Sequence, residues 1–207
     1  MENKIYHHPF CQEMYYTLHL PESLKGQQNI PMLVFLHGSG ERGRDHDKLC
    51  RVAVPRYLRD GLEIPALVLC PQCPDEFIWD HLIFVVKDLI EEIIETYKVD
   101  RSRVSLTGIS MGGYGTWAMA STFPAMFRRI APVCGGGIGW RAAEIRAEVH
   151  AFHGDMDTAV LPARSYEMVD ALRAAGKPAK LTIFHGVGHN SWDEAYQTTN
   201  VLEWLVS

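Results

Sequence analysis

The sequence predicts an α/β fold in which a mostly parallel sheet carries helices on both faces. Short apolar runs typical of buried strands alternate along the chain with longer segments of helical periodicity. The length of 207 residues suits one such domain, spanning residues 1–207. The pentapeptide Gly-Ile-Ser-Met-Gly at residues 108–112 lies between a predicted strand and a predicted helix. Ligands of parallel sheets bind where the strands end. The order of these elements therefore predicts that the functional side chains lie together at one edge of the sheet.

Seven segments have the composition of strands. Residues 32–36 and 66–70 are unbroken apolar runs, as expected of strands covered on both faces. Residues 104–107 alternate in polarity and lead into the pentapeptide. In chain order, the predicted strands cover residues 15–20, 32–36, 66–70, 104–107, 129–133, 149–152 and 180–184.

The segments between these strands have helical patterns. Residues 82–97 carry apolar side chains on one stripe at helical spacing. The glycine-rich run that follows residue 112 is compatible with a helix. Residues 162–175 begin at Pro162 and are followed by Gly176, the residue types that favour helix starts and ends. Residues 192–206 are expected to be helical, in one or two pieces.

Composition excludes several classes of protein. The formal net charge of -5, without a basic cluster, argues against nucleic acid and anionic membranes as partners. No apolar run is long enough to span a bilayer, and the N-terminus lacks a signal-peptide core. Five scattered cysteines favour a reducing compartment, so a cytoplasmic protein is expected. The Cys-x-x-Cys spacing at residues 70–73 has no second ligand pair, which predicts strand-end packing and no metal site.

Ser110 is the candidate nucleophile. A serine at a tight strand-to-helix turn is held at a strained backbone position with its hydroxyl exposed. Gly108 and Gly112 leave room for that turn, since a side chain at either position would collide with neighbouring backbone. A serine hydroxyl is a poor nucleophile at neutral pH, so it needs a base and an acid that orients the base.

Two histidines and two aspartates compete for these supporting roles. His189 lies in a glycine-containing loop after the last predicted strand and is the favoured base. His185, at the end of that strand, is the alternative. Asp157 and Asp155 both follow the sixth predicted strand. Asp157 is favoured as the acid because it lies further along the loop, whereas Asp155 can accept backbone N–H bonds within the turn.

Stabilisation of an oxyanion requires two backbone N–H groups aimed at one point. The residue after the serine, Met111, is expected to supply one. The glycine-rich loop at residues 37–43 follows a buried strand and is expected to supply the other, from Ser39 or, as the second choice, Gly40.

Substrate-pocket candidates are Gly40, Trp79 and Trp192, because ligand pockets are largely apolar and aromatic. Core packing is an equally good reading for Trp79. Only residues 134–148 separate two predicted strands where lids are often inserted, and fifteen residues are too few for a lid domain. An open cleft, suited to small soluble substrates, is therefore expected.

Four segments together resemble the α/β-hydrolase superfamily: residues 36–43, 108–113, 153–160 and 188–192. Within it the chain is similar to the bacterial carboxylesterase and predicted-peptidase group, near the phospholipase/carboxylesterase and dienelactone hydrolase branches. The resemblance runs from about residue 31 to the C-terminus. It implies an α/β-hydrolase fold, and roles for Ser110, Asp157 and His189 as nucleophile, acid and base.

That resemblance implies cleavage of small-molecule carboxylic esters through an acyl-enzyme, without a metal or organic cofactor. The alternatives are an acyl-thioesterase, lysophospholipase or peptidase that uses the same three residues. A non-catalytic binding protein with the same fold is the alternative of another class. The sequence leaves the oligomeric state open.

Overall fold

The computed structural model describes residues 1–207 and contains one eight-stranded sheet. Its strands are β1 (Glu2–His8), β2 (Gln12–His19), β3 (Ile30–Leu36), β4 (Leu67–Pro71), β5 (Val99–Ile109), β6 (Arg129–Val133), β7 (Glu148–Gly154) and β8 (Ala179–Phe184). Their order across the sheet is β1-β2-β4-β3-β5-β6-β7-β8. The β1–β2 and β2–β4 pairs are antiparallel and all the others are parallel, which confirms the mostly parallel sheet.

The chain forms seven helices, the last two of them after β8: α1 (His46–Leu49), α2 (Ala53–Arg59), α3 (Trp79–Tyr97), α4 (Met111–Thr122), α5 (Ala163–Ala174), α6 (Trp192–Thr198) and α7 (Val201–Val206). Two apolar clusters lie on opposite faces of the sheet. One is formed with α3, α4 and α5, and the other with α2, α6 and α7. None of the helices has both the length and the apolar character that crossing a bilayer requires.

Strand β3 shows why the continuous apolar runs were informative. Met32 and Val34 point into one apolar cluster, while Leu33 and Phe35 point into the other. Successive side chains of a strand point to opposite faces, so a strand covered on both sides must be apolar at every position. The whole of β3 is buried, as the sequence predicts.

Strand β1 and helices α1 and α2 are absent from the sequence expectation. Strand β1 was not predicted, because it is an edge strand with several exposed side chains and lacks a continuous apolar signal. Helix α2 was not predicted either, since seven residues that include Pro55 give a weak periodic pattern. The C-terminal helical region is in two pieces, because the extended backbone of Thr199 (φ -117°, ψ 169°) interrupts it.

The segment between β6 and β7 carries no lid. Residues 134–147 contain one short 3-10 helix, Gly139–Glu144, whose Ala142 packs into the core. Helices therefore cover both faces of the sheet. The edge at which the parallel strands end is not covered by a helix. That edge carries the candidate site.

Candidate active site

Ser110 occupies the turn between β5 and α4. Its φ of 53° and ψ of -116° lie in a region that non-glycine residues rarely adopt. The N–H of Ser110 donates to the carbonyl of Val133 at 3.0 Å, and the carbonyl of Ser110 accepts from Tyr114 at 3.1 Å. These bonds hold the strained residue in place and leave its hydroxyl free to meet other side chains.

The glycines beside Ser110 are required by close packing. A Cβ atom on Gly108 would lie 2.4 Å from the carbonyl oxygen of Gly112. A Cβ on Gly112 would lie 1.9 Å from the carbonyl oxygen of Leu36 on the neighbouring strand. Neither distance is possible for real atoms, so only glycine lets α4 begin directly against β3 and β5.

Three side chains from distant loops meet at this turn. His189 Nε2 lies 2.9 Å from the hydroxyl oxygen of Ser110, and His189 Nδ1 lies 2.7 Å from Oδ2 of Asp157. The imidazole therefore joins the hydroxyl to the carboxylate. The structure brings together the three residues favoured from the sequence, while their catalytic roles stay a prediction.

The alternative pair lies apart from Ser110. His185 Nδ1 is 2.9 Å from Oδ2 of Asp155, and the N–H of Gly186 donates to Oδ1 of the same carboxylate at 2.7 Å. Neither His185 nor Asp155 hydrogen-bonds Ser110. The hydrogen bond from His185 holds the pKa of the Asp155 carboxyl below its usual range. This pair stabilises the turn after β8.

The carboxylate of Asp157 is buried and receives four hydrogen-bond donors. Oδ1 accepts from the N–H groups of Ala159 and Val160, both at 2.9 Å. Oδ2 accepts from His189 at 2.7 Å and from His153 at 3.1 Å. Burial raises the pKa of Asp157, but the hydrogen bonds from His189 and the backbone outweigh that effect, and its pKa lies below the ordinary value. The group is therefore ionised at neutral pH.

His153 was missed as a functional candidate by the sequence analysis. It is fully buried, and its Nε2 faces two acceptors, Oδ2 of Asp157 and the carbonyl of Val160 at 2.9 Å. Nε2 must therefore carry the proton. Nδ1 lies 2.7 Å from the hydroxyl of Ser165. The sequence feature that could have pointed to His153 is its position at the end of a buried strand, four residues before Asp157.

The two expected oxyanion donors flank the serine. Met111 is the first residue of α4 and Ser39 is the first of a 3-10 turn (Ser39–Glu41), so neither N–H has a partner within its own helix. A Cβ on Gly38 would lie 3.7 Å from the Cβ of Ser110, which shows how closely this loop passes the candidate nucleophile. Gly40 has open space around it.

For Trp79 the structure decides for core packing, the alternative that the sequence left open, and against a place in a pocket. The side chain is 1% exposed and belongs to the apolar core. Its indole N–H donates to the carbonyl of His37 at 2.9 Å, so the ring anchors the loop that carries Ser39. The sequence showed a tryptophan near a loop, but the packing of α3 under that loop places the ring inside the protein.

His37 is a buried, neutral imidazole at the base of the same loop. The N–H of Cys73 donates to its Nε2 at 2.9 Å, which requires an unprotonated nitrogen, and Nδ1 faces the carbonyl of Gly38. Burial lowers the pKa of His37 to about 4. His37, Trp79 and Cys73 therefore fix the start of the loop.

The other two pocket candidates also lie outside the cavities beside Ser110. Trp192 is partly buried and places its ring edge-on to His189, with 5.8 Å between ring centroids. It contacts the imidazole, and its place in a substrate pocket stays a prediction. Gly40 lies on the exposed 3-10 turn of its loop, where even a Cβ atom would have no neighbour within 4 Å.

Two cavities that share Asp80 and Tyr114 lie along α4, and one of them is bounded by Met111. The first, of about 310 Å³, is bounded by Ile78, Asp80, Met111 and Tyr114. The second, of about 340 Å³, shares Asp80 and Tyr114 with it and extends to Arg141. The smaller cavity therefore lies beside the residue that follows Ser110.

Cys134 lies behind the three convergent side chains. Its Sγ is within 4.8 Å of ligand-type atoms of Asp157 and His189, the one such cluster in the protein. Burial raises the pKa of the Cys134 thiol to about 12, so it stays protonated at neutral pH. Metal binding requires a thiolate, and both other groups are already bound to each other, so this set fits a metal ion poorly.

Comparison with known proteins yields one family match and several relatives. The model of the prolyl oligopeptidase family matches residues 140–207. Poly(3-hydroxyalkanoate) depolymerase C of Paucimonas lemoignei is 37% identical over 51 residues, which are 25% of this chain and 12% of that protein.

Solved structures match over almost the whole chain. A protein described as a thermostable esterase is 31% identical, with a TM-score of 0.88 over 99% of this chain and 62% of that one. A ferulic acid esterase is 20% identical, with a TM-score of 0.75 over 99% and 97% of the two chains. The chain thus spans about three fifths of the thermostable esterase and a small part of the depolymerase.

Proposed function

Because the chain is a member of the α/β-hydrolase superfamily, we propose that it is a serine hydrolase that cleaves carboxylic esters of small molecules. The observation that carries the proposal is the hydrogen-bonded series from Asp157 through His189 to Ser110, at 2.7 and 2.9 Å. These are the distances over which a base can take the proton of an attacking hydroxyl.

In the proposed reaction, Ser110 Oγ attacks the ester carbonyl while His189 Nε2 takes its proton. Asp157 holds the imidazole in the required orientation and stabilises the imidazolium that forms. His189 then donates the proton to the leaving alcohol. In the second half, water loses a proton to His189 and attacks the acyl-enzyme; the bond to Ser110 Oγ then breaks, the acid leaves, and His189 returns the proton to Ser110 Oγ.

The oxyanion formed in each half develops next to the N–H groups of Met111 and Ser39. Each correctly aimed donor contributes on the order of 10²–10³ in rate for enzymes of this chemistry. The strained turn at Ser110 supports this role, because it places the hydroxyl beside the first N–H of α4. The short segment between β6 and β7 leaves the site open, which favours small soluble esters over emulsified lipid.

A peptidase is the second candidate, because the prolyl oligopeptidase family model matches residues 140–207. That region contains Asp157 and His189, which amide and ester hydrolysis use in the same way. Comparing para-nitrophenyl esters with aminoacyl para-nitroanilides separates the two. We expect ester turnover to exceed amide turnover, because the open site beside the short segment between β6 and β7 favours small esters.

The test of the proposed function is Ser110→Ala. We expect a folded protein that has lost ester turnover and labelling by a fluorophosphonate probe, because both require the serine oxygen. His185→Gln is the matched control and should keep both, since His185 does not contact Ser110. Normal turnover by Ser110→Ala, or probe attachment at a different residue, would refute the assignment.

A further inference from the structure

We propose that Arg42 is a positioning residue for the oxyanion site, because its guanidinium holds the backbone of Ser39. The proposal rests on the proposed function, since it concerns the second of the two N–H donors. Arg42 directly follows the 3-10 turn Ser39–Glu41, and its Nε donates to the carbonyl of Ser39 at 3.1 Å. All hydrogen bonds of its side chain go to backbone carbonyls, so it acts through the loop rather than on the substrate.

Both peptide groups that flank Ser39 are held by side chains. In a trans peptide the N–H points away from the carbonyl of the same group, and the chain has no cis peptide bond. The carbonyl of Gly38 accepts from Nδ1 of His37, so the N–H of Ser39 points away from that imidazole. Arg42 holds the next carbonyl, that of Ser39 itself. With both groups held, the two backbone dihedral angles of Ser39 are fixed, and with them the direction of its N–H.

This arrangement leaves the N–H of Ser39 free. It donates to no acceptor in the protein, although the peptide groups on both sides are held. The loop passes close to the candidate nucleophile at this point, since a Cβ on Gly38 would lie 3.7 Å from the Cβ of Ser110. A donor that is free but fixed suits oxyanion stabilisation, because no reorganisation is needed when the negative charge develops.

The guanidinium of Arg42 joins two loops. Its Nη1 donates to the carbonyls of Asp75 and Phe77, at 3.4 and 3.5 Å, in the segment between β4 and α3. None of its acceptors is a carboxylate, so pairing with a nearby acid does not account for its position. A planar guanidinium presents N–H groups in several fixed directions and reaches both loops at once, whereas the ammonium of a lysine is a single point of charge.

The rest of the loop is anchored without the side chain of Arg42. The fully buried amide of Gln72 donates to the carbonyls of Glu41 and Asp45, at 2.8 and 2.9 Å. The same amide accepts from the N–H of Asp45 at 2.8 Å. Loss of the guanidinium should therefore release the carbonyl of Ser39 while the loop stays in place.

The test is Arg42→Met, which removes the donors and keeps a long, unbranched side chain. The substrate is para-nitrophenyl acetate, which carries no charge. We expect kcat to fall about tenfold and KM to stay within about twofold, since a donor that is no longer aimed loses part of the 10²–10³ in rate that it contributes. The affinity for a trifluoromethyl ketone should fall by the same factor as kcat, because its adduct with Ser110 carries an oxyanion.

Arg44→Met is the matched control. Arg44 lies in the same loop, but its Nη1 pairs with the carboxylate of Glu76 at 3.0 Å, so this variant should keep both kcat and the ketone affinity. Arg42→Lys should recover part of the loss, because an ammonium can still donate to the carbonyl of Ser39. If circular dichroism shows that Arg42→Met does not fold, Arg42→Lys is the test, with an expected fall of about threefold in both quantities.

Unchanged kcat and ketone affinity in a folded variant overturn this inference and leave the proposed function standing. A fall in kcat without a matching fall in ketone affinity also overturns it, since that shows a role outside the oxyanion site. Mono-para-nitrophenyl succinate tests whether Arg42 binds an anionic substrate, and a loss confined to this ester overturns the inference as well. Absence of any ester turnover by the unmodified protein, with Ser110 unlabelled, refutes both proposals.

Discussion

At the scale of single residues, Asp157 is the point on which the candidate site depends. A carboxylate offers about four acceptor positions, and the four donors from Ala159, Val160, His153 and His189 fill them all. A group fixed in this way cannot rotate, so the orientation of His189 is fixed as well. The backbone donors and His153 thus act on Ser110 through Asp157 and the imidazole.

His153→Ala is expected to lower kcat about tenfold and to leave KM unchanged, because loss of one donor to a buried carboxylate weakens its hold on His189. Steady-state ester kinetics on folded protein, checked by circular dichroism, measure the effect. His153→Gln should recover part of the loss, since its amide can still donate to Asp157.

The matched control for that prediction is His150→Gln on the same strand. His150 interacts with Thr182 and lies away from Asp157, with its ring stacked on Phe152. We expect its kcat to match that of the unmodified protein. Equal kcat for His153→Ala and the unmodified protein would contradict a positioning role for His153.

At the scale of elements, the site depends on how closely α4 approaches the two central strands. The start of α4 lies against β3 and β5, where Gly108 and Gly112 allow backbone to touch backbone. Gly113, on α4, packs in a similar way against β6 and the chain that follows it, which includes Gly135. A Cβ atom on either glycine would lie under 3.0 Å from backbone atoms. The helix therefore holds Ser110 and Met111 at fixed positions relative to three strands.

Gly112→Ala is expected to destabilise the fold or displace α4, because the added Cβ would lie 1.9 Å from a carbonyl oxygen of β3. A loss of at least about 3 kcal/mol in the free energy of unfolding is expected for such a severe overlap. Urea denaturation measures it. Gly139→Ala is the control, since its nearest neighbours would be 3.8 Å away. A stability equal to that of the control would contradict the close packing described here.

A second contact between elements fixes the helix that follows His189. The carboxylate of Asp193, on α6, accepts from the guanidinium of Arg56 at 3.2 Å and from the hydroxyl of Tyr57, both on α2. Burial is the main reason that the pKa of Tyr57 rises to about 12, so its hydroxyl stays a donor. This contact ties the loop of His189 to a helix that the sequence did not predict.

At the scale of the whole molecule, buried histidines couple stability to pH. Burial lowers the pKa of His37 and of His150 to about 4, against about 6.5 in the unfolded chain. As the pH falls below about 6.5, the unfolded chain binds protons that the folded protein does not. Their contribution to stability is therefore complete above about pH 6.5 and decreases as the pH falls towards 4.

We expect the free energy of unfolding to be lower at pH 5 than at pH 7. The fully buried His37 alone accounts for about 2 kcal/mol of the difference, from the separation of its two pKa values. Urea denaturation at both pH values measures the effect. His150→Gln should make the dependence shallower, because it removes one of the two groups. An unchanged free energy between pH 7 and pH 5 would show that His37 is not held neutral by the fold.

The sequence by itself determined the parallel strands, the position of the tight turn and the order in which its partners follow. These depend on local properties: β3 must be apolar at every position, and the turn at Ser110 needs glycines on both sides. Strand β1 and helix α2 were not predicted, because their local sequence patterns are weak.

Only the tertiary structure decided which side chains meet. His189 and His185 are four residues apart in the loop after β8, yet only His189 hydrogen-bonds Ser110, whereas His185 pairs with Asp155. Trp79 lies in the core, and Asp80 beside it lines a cavity, because α3 packs under the loop of Ser39. Such contacts join residues far apart in the chain, and local patterns carry no information about them.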